Sequence, residues 1–340
     1  MKRVLALSCD AKFFRHAQEL IASMHKTSRG LVDEILFFDL GLTGEQRDTL
    51  TGSNFHVMGY PTWLTERLYP DFLSPRMFAW KTFVLVEAAK HGDLVLYADS
   101  ACVLLNSLAP IYEIIEHDEV FMIRDVQRND ERTHEACFGI MNATLAERGA
   151  SQIDAGVLGY SSGGRFAGIF AEAFEFAKYR NCIFGDATTH RHDQSIYSIL
   201  AARYAVPSLH AYGDFVHWKG IESREQIVWQ HRGKWPFFKR FAERAAILSP
   251  ARIAIYGAGK HTERFLATFR NLAEPRHRVV GILDDAPRAE SFAEVPILQT
   301  MAWQQLQADV IVLSSDAHEE AMYLKFGEIA PQMAIWRIYS

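Results

Sequence analysis

This 340-residue chain is poor in the features that most directly announce a chemistry. It has four cysteines, Cys9, Cys102, Cys137 and Cys182, scattered and never in CxxC spacing, which argues against a cysteine zinc site or a disulfide framework. It has no apolar stretch of about 18 residues, so no transmembrane helix is expected. It has no long basic run and a net charge of −5, which sets nucleic acid aside as a main partner. The start, MKRVLALSCD, carries an apolar run too short for a secretory signal, and Asp10 and Lys12 interrupt it. Internal repeats and low-complexity tracts are missing as well. The expectation is a cytoplasmic protein with reduced thiols.

The length exceeds one comfortable core, so two domains are expected. Arg3–Ser8 reads as a buried strand opening into Cys9-Asp10 and a helix to about Lys26. Glu34–Leu40 and Phe55–Tyr60 read as strands around a short Glu45–Thr51 helix, and Tyr60–Pro75 as an irregular connection. Arg76–His91 reads as an apolar helix, and Asp93–Leu105 (DLVLYADSACVLL) as a buried parallel strand delivering Asp99 to the carboxyl end of a sheet. Glu119–Arg124 is a strand, Asp125–Glu135 a polar loop, Gln152–Tyr160 a strand, and Phe166–Tyr179 and His190–Tyr204 helices. Alternating strands and helices predict an α/β fold, a mostly parallel sheet with helices on both faces. Residues 1–235 form the first expected domain and 236–250 a basic, aromatic connector ending at Ser249-Pro250. Residues 251–340 form a small Rossmann-like α/β domain.

Several residues carry chemistry in this pattern. Asp10 and Asp99 each follow a strand and would share one crevice; the plain alternative for Asp10 is a helix cap. Arg76 and Lys81 could hold a diphosphate, Arg bidentately and Lys as a point charge. Ala155-Gly156 would let a sugar approach the backbone, with Asp154 on its hydroxyls. Asp193 and Gln194 open a helix where a carboxylate and an amide could stand beneath an anomeric carbon. His217 and His231, flanking Trp218 and Trp229, could ligate Mn²⁺ or touch phosphate.

Taken in order, these residues resemble the GT-A class of glycosyltransferases, most of all the retaining enzymes of the family 8 kind and their bacterial relatives. LALSCD is similar to a first strand whose Asp, here Asp10, contacts the nucleotide. RMFAWK preceding YADSA resembles the arginine helix before a metal-binding DxD motif. DAGV at Asp154–Val157 resembles the sugar-site strand, and Asp193-Gln194 the pair near the reacting sugar. QHRGKW, with His231 and Lys234, looks like the late His-x-G segment that contacts metal or phosphate. The likeness spans about Val4 to Lys234. It implies transfer from a nucleoside-diphosphate sugar, UDP-type by preference, to a glycan or lipid-linked acceptor in bacterial surface polysaccharide synthesis. The catalytic set would be Asp193, Gln194 and Asp154; the donor set Asp10, Arg76, Lys81, Asp99 and Lys234; and Asp99 with His231 would hold Mn²⁺ or Mg²⁺. One departure stands out: the second acid of DxD is Ala101, so either the metal has fewer protein ligands or Arg76 and Lys81 neutralise the leaving diphosphate alone.

In the C-terminal domain, Gly257-Ala258-Gly259 follows a strand and opens a helix, with His261 in its first turn, while Asp284 and Asp285 lie where a ribose-binding acid is expected. Thr262 replaces the third glycine of GxGxxG. The stretch resembles the nucleotide-sugar-binding domain of bacterial sugar-modifying enzymes; a turn that merely packs helix on strand is the alternative. The connector KWPFFKRFAER is a composition that could touch the inner membrane face, or an interdomain helix with buried rings. Competing whole-chain readings are an NAD(P)-dependent oxidoreductase and a non-catalytic nucleotide-sugar-binding protein.

Overall fold

The structure, a computed structural model, describes residues 1–50, 55–218, 225–231, 235–272, 276–292 and 294–339. It divides into two compact units, one of Met1–His217 with Glu225–Gln230, the other of Trp218–Arg224 with His231–Ser340. Among the described residues no helix is long and apolar enough to cross a membrane.

The first unit is mixed α/β. Its strands are β1 (Arg3–Cys9), β2 (Glu34–Asp39), β3 (Phe55–Met58), β4 (Leu94–Ala98), β5 (Cys102–Leu104), β6 (Val120–Arg128), β7 (Ser151–Ser161), β8 (Val216–His217) and β9 (Val228–Gln230). The main sheet runs β3-β2-β1-β4-β7-β6. The first four of these are parallel, whereas β7 runs antiparallel to both β4 and β6. Strand alternation divides β1 between two cores: Val4 and Ala6 join one apolar cluster, Leu5, Leu7 and Cys9 the other. Helices Ala79–Ala88, Ala167–Ala177 and Asp193–Arg203 contribute to the first cluster, Phe14–Thr27 and Ala109–Asp118 to the second. The expected two-faced α/β architecture is present, with an antiparallel strand near one edge.

β7 is the element that builds the crevice. It pairs with β4 only from Val157 to Ser161, so Ser151–Gly156 overhang the carboxyl end of β4. The chain after β4 turns at Asp99–Ala101 instead of continuing one long strand, and β5 enters a separate three-stranded sheet, β5-β9-β8. Cys102 there lies opposite Gln230.

Three boundaries differ from the sequence reading. The helix carrying Lys81 starts at Ala79, after a turn that holds Arg76, because Phe78 adopts φ 59° and breaks helical continuity. The helix carrying Asp193 starts at Asp193, since His192 also has positive φ. Asp125–Glu135 is not one loop: β6 continues to Arg128, which lies opposite Ser151, and a short helix, Asn129–Arg132, follows. Backbone pairing to the long β7 overrides the polar composition there.

The second unit has strands β10 (Arg252–Tyr256), β11 (Arg278–Asp284), β12 (Ser291–Phe292), β13 (Val295–Gln299), β14 (Val310–Leu313) and β15 (Ala334–Arg337), in the order β12-β13-β11-β10-β14-β15. All neighbours are parallel except β12 and β13. The connector helix, Trp235–Ala246, belongs to this unit: Phe238 and Phe241 are buried there against Phe265. These two rings are therefore not displayed for a membrane surface.

Gly159 marks how tightly β7 is packed from below. A Cβ there would sit 2.4 Å from Ile115 Cδ1 and 3.3 Å from Phe121 Cβ. Gly159→Ala is expected to destabilise the fold by about 1–3 kcal/mol, read as a lowered urea midpoint with unchanged slope.

Candidate active site

The overhang of β7, the end of β4 and the first turns of two helices converge on one buried ammonium group. Lys81 is 2% exposed, and its Nζ lies 3.0 Å from Asp99 Oδ1, 3.4 Å from Asp193 Oδ2 and 3.0 Å from the Ala155 carbonyl. The rings of Phe78 and Tyr97 flank it at 5.3 and 5.1 Å. Burial alone would lower the pKa of this lysine, but Asp193 and Asp99, with a smaller share from Asp154, outweigh it and hold it well above the ordinary value. The sequence reading placed Lys81 on a donor diphosphate. The structure buries it beneath the carboxylates, where it neutralises protein anions directly.

Asp99 is the exposed member, its side chain 37% accessible. Its Oδ1 accepts from the Tyr97 hydroxyl at 2.8 Å as well as pairing with Lys81, and its amide donates to the Gly156 carbonyl at 2.8 Å. Asp154, 6% exposed, is more heavily bonded. Its Oδ1 accepts from Gln230 Nε2 at 2.7 Å and the Gly156 amide at 2.6 Å, and its Oδ2 from the Tyr212 hydroxyl. Gly156 is what lets these groups meet. A Cβ there would fall 2.6 Å from Gln230 Nε2, 3.0 Å from Asp154 Oδ1 and 3.1 Å from Asp99 Oδ2.

Asp193 occupies the first helical position, where the helix N-terminus favours an anion. It is 3% exposed. Burial raises its carboxyl to about 6, Lys81 opposing and nearby Asp99 adding to the rise. Gln194 donates to Gln152 Oε1 at 3.0 Å and Asp125 Oδ2 at 3.4 Å, which fixes the amide's orientation. The helix is joined to β7 by Ser198, whose hydroxyl accepts from the Ile153 amide at 2.9 Å.

The remaining candidates fall in several places. Asp10 follows β1, beside β4, so it shares the carboxyl end of the sheet with Asp99; its Oδ1 also accepts from the Phe13 amide at 3.0 Å, the helix-entry role. Arg76 is exposed in the turn ahead of Phe78 and has no ion-pair partner among the described residues. Lys234 lies outside the described residues, and His231, 1% exposed, belongs to the second unit. Gln152, Gln230, Tyr97, Tyr212 and Asp125 are site residues the sequence reading missed. Two had a signal: Gln152 shares strand parity with Asp154, and Tyr97 with Asp99. Gln230 and Tyr212 had none, being brought in from 76 and 58 residues away.

In the second unit, Gly257 has φ 106°, and its amide donates to Leu283 O at 2.7 Å. The turn is furnished by its own neighbours. Asp284 Oδ2 accepts the Ala258 amide at 2.9 Å, Thr262 reaches back to the Gly257 carbonyl and to Ser314, and His261 bonds Ser314 and Tyr339. Gly259 would leave an added Cβ in open space. Asp285 is taken up by Tyr256, Thr300 and Lys325. Both acids expected on a ribose thus serve the turn and sheet in this structure.

Replacing Lys81 by Met would keep the stem and remove the charge, leaving Asp99 and Asp193 unbalanced. Lys81→Met is expected to cost about 3–5 kcal/mol, measured by denaturant unfolding. Asp193→Asn in the same chain should recover part of that loss, and strict additivity of the two changes would refute the pairing.

No family model and no curated protein matches the chain. Matching solved structures include the galactosyltransferase LgtC in complex with donor and acceptor sugar analogues, at 17% identity over 63% of this chain and 74% of that one, TM-score 0.43. The apo-form glycosyltransferase GlyE in Streptococcus pneumoniae TIGR4 matches at 12% identity over 99% of this chain and 91% of that one, TM-score 0.42. The bifunctional glycosyltransferase WbbM matches at 12% identity over 66% and 41%, TM-score 0.45. Likenesses this distant carry nothing about the chemistry of this chain, which rests on its own side chains.

Proposed function

We propose that the first unit is a GT-A-type glycosyltransferase of the retaining, family 8-like kind, moving a sugar from a nucleoside diphosphate, UDP by preference, to an acceptor hydroxyl. The observation that carries this reading is the gathering of Asp99, Asp154 and Asp193 around Lys81 at the carboxyl end of parallel β4. Open α/β sheets bind ligands at that end. Three carboxylates against one ammonium leave the centre with an excess of two negative charges when all are ionised, which favours a cationic partner. Asp99 Oδ2, on the exposed side chain, is the oxygen best placed to meet one. Hard carboxylate oxygen suits Mn²⁺ or Mg²⁺, and Mg²⁺ is commonly held by one or two carboxylates with substrate phosphates and water. Among the described residues no group of three His, Cys, Asp or Glu could hold a metal. The fit is therefore to Asp99 as a single protein anchor, and such an ion would offset the charge of the diphosphate.

The chain's own residues do the positioning. Arg76, exposed in its turn, is the cation available to the diphosphate. Asp154, fixed from both oxygens, and the Gln152–Gln194 pair hold sugar hydroxyls. Asp193 and Gln194 face the anomeric carbon, Asp193 stabilising positive charge as it develops there. The bond from that carbon to the diphosphate oxygen breaks with its electron pair on the diphosphate. The acceptor oxygen forms the new bond, and its proton passes to the departing phosphate. The acceptor class suggested by the resemblance is a growing bacterial surface glycan, free or lipid-linked, handled in the cytoplasm. In the second unit, Gly257–Gly259 is a secondary candidate for a nucleotide or nucleotide sugar.

A thermal-shift titration of the full chain with UDP, GDP, CDP, dTDP and NAD, with and without Mn²⁺, tests the reading. Stabilisation by one nucleoside diphosphate that Asp99→Asn abolishes supports it; stabilisation by NAD alone would replace it with the oxidoreductase reading. Asp193→Asn is expected to lower kcat for donor hydrolysis or transfer by about 100-fold or more. Since burial lifts Asp193 to about 6 and its ionised form is the working one, kcat should fall as pH drops through 6. That limb should be missing in Asp193→Asn, and a pH-independent wild-type kcat between 5 and 8 would remove Asp193 from this role.

A further inference from the structure

The Lys81–Asp193 pair is framed by two residues with unusual backbones. Phe78, at φ 59° and ψ 8°, is the cap of the Lys81 helix; His192, at φ 54° and ψ −124°, is the cap of the Asp193 helix. Neither is glycine, and neither side chain bonds its own helix's amides. Their rings meet instead, centroids 5.8 Å apart, and the Phe78 ring also lies over Lys81 Nζ. His192 is 6% exposed, and its Nδ1 is 2.8 Å from the Ile183 carbonyl. That carbonyl lies between two others gripped in the same way: Cys182 O by His190 Nε2 at 2.9 Å and Phe184 O by His134 Nε2 at 2.7 Å. The His134 and His190 rings stack at 3.8 Å. Three histidines thus anchor three successive carbonyls at the end of the Arg180–Ile183 helix.

Strained backbone persists only where its surroundings over-determine it, and it gathers where a site needs a side chain held off its relaxed position. The anchoring at Ile183 and the packing on Phe78 are that surrounding. We propose that His192, through its ring on Phe78 and its hold on the Ile183 carbonyl, is a positioning residue that keeps the buried Asp193 carboxylate against Lys81. This rests on the glycosyltransferase reading for its catalytic consequence, but not for its structural one. The ring does not touch the reacting atoms; it sets the direction in which the helix starts.

His192→Gly tests this, because glycine accepts the positive φ and removes both ring and hydrogen bond. The thermal midpoint should hold or rise as strain is relieved, whereas kcat for donor hydrolysis should fall about tenfold or more with the donor KM within about twofold. In a crystal structure of the variant, Asp193 Oδ2 should have left Lys81 Nζ, to beyond 4 Å. His192→Asn, which tolerates this backbone and can donate to Ile183 O, should restore part of both. A retained pair in His192→Gly, or an opened pair with unchanged kcat, would overturn the proposal. If the wild type hydrolyses no nucleotide sugar, the glycosyltransferase reading fails separately and the Lys81–Asp193 distance alone decides.

Discussion

The first unit is organised around one buried ammonium group. Without Lys81, Asp99 and Asp193 would face each other as bare anions in a crevice walled by Tyr97, Phe78 and the edge of β7. With it, the helix bearing Lys81, the strand delivering Asp99 and the helix opened by Asp193 are joined electrostatically at one point. The arrangement has a cost, since burying the charges strips them of water, and the hydrogen bond from Lys81 to the Ala155 carbonyl helps offset it. A site of this kind gains specificity of geometry more than stability.

Glycine and strain supply the other half of the geometry. Gly156 admits Asp99, Asp154 and Gln230 to one place by having no side chain. Phe78 and His192 turn two helices into the same crevice by adopting conformations that their side chains resist. Economy of space and stored strain thus converge on the same few ångströms, in an otherwise regular α/β scaffold.

Much of this was legible in the sequence. The apolar run into Asp99 announced a buried strand with a polar end, and DAGV and HDQ announced polar groups beside small or helix-opening residues. What stayed illegible follows from physics that is not local. A lysine in RMFAWK looks alike whether it meets solvent phosphate or buried carboxylates; only the packing of three elements decides. The antiparallel course of β7 could not be told from a parallel one by its apolar run. Gln230 and Tyr212 reach Asp154 across most of the unit, a closure no window of residues contains. Asp125–Arg128 reads as loop because its side chains are polar, while β6 runs on to Arg128, which pairs with Ser151 of β7.

The glycine turn of the second unit has its own consequence. The Ala258 amide that would greet an incoming phosphate already holds the Asp284 carboxylate. A tethered anion of this kind acts as a built-in competitor at high local concentration. Any phosphate ligand would have to displace it and accept its repulsion, so discrimination there would depend less on the glycines than on how readily one acid side chain steps aside.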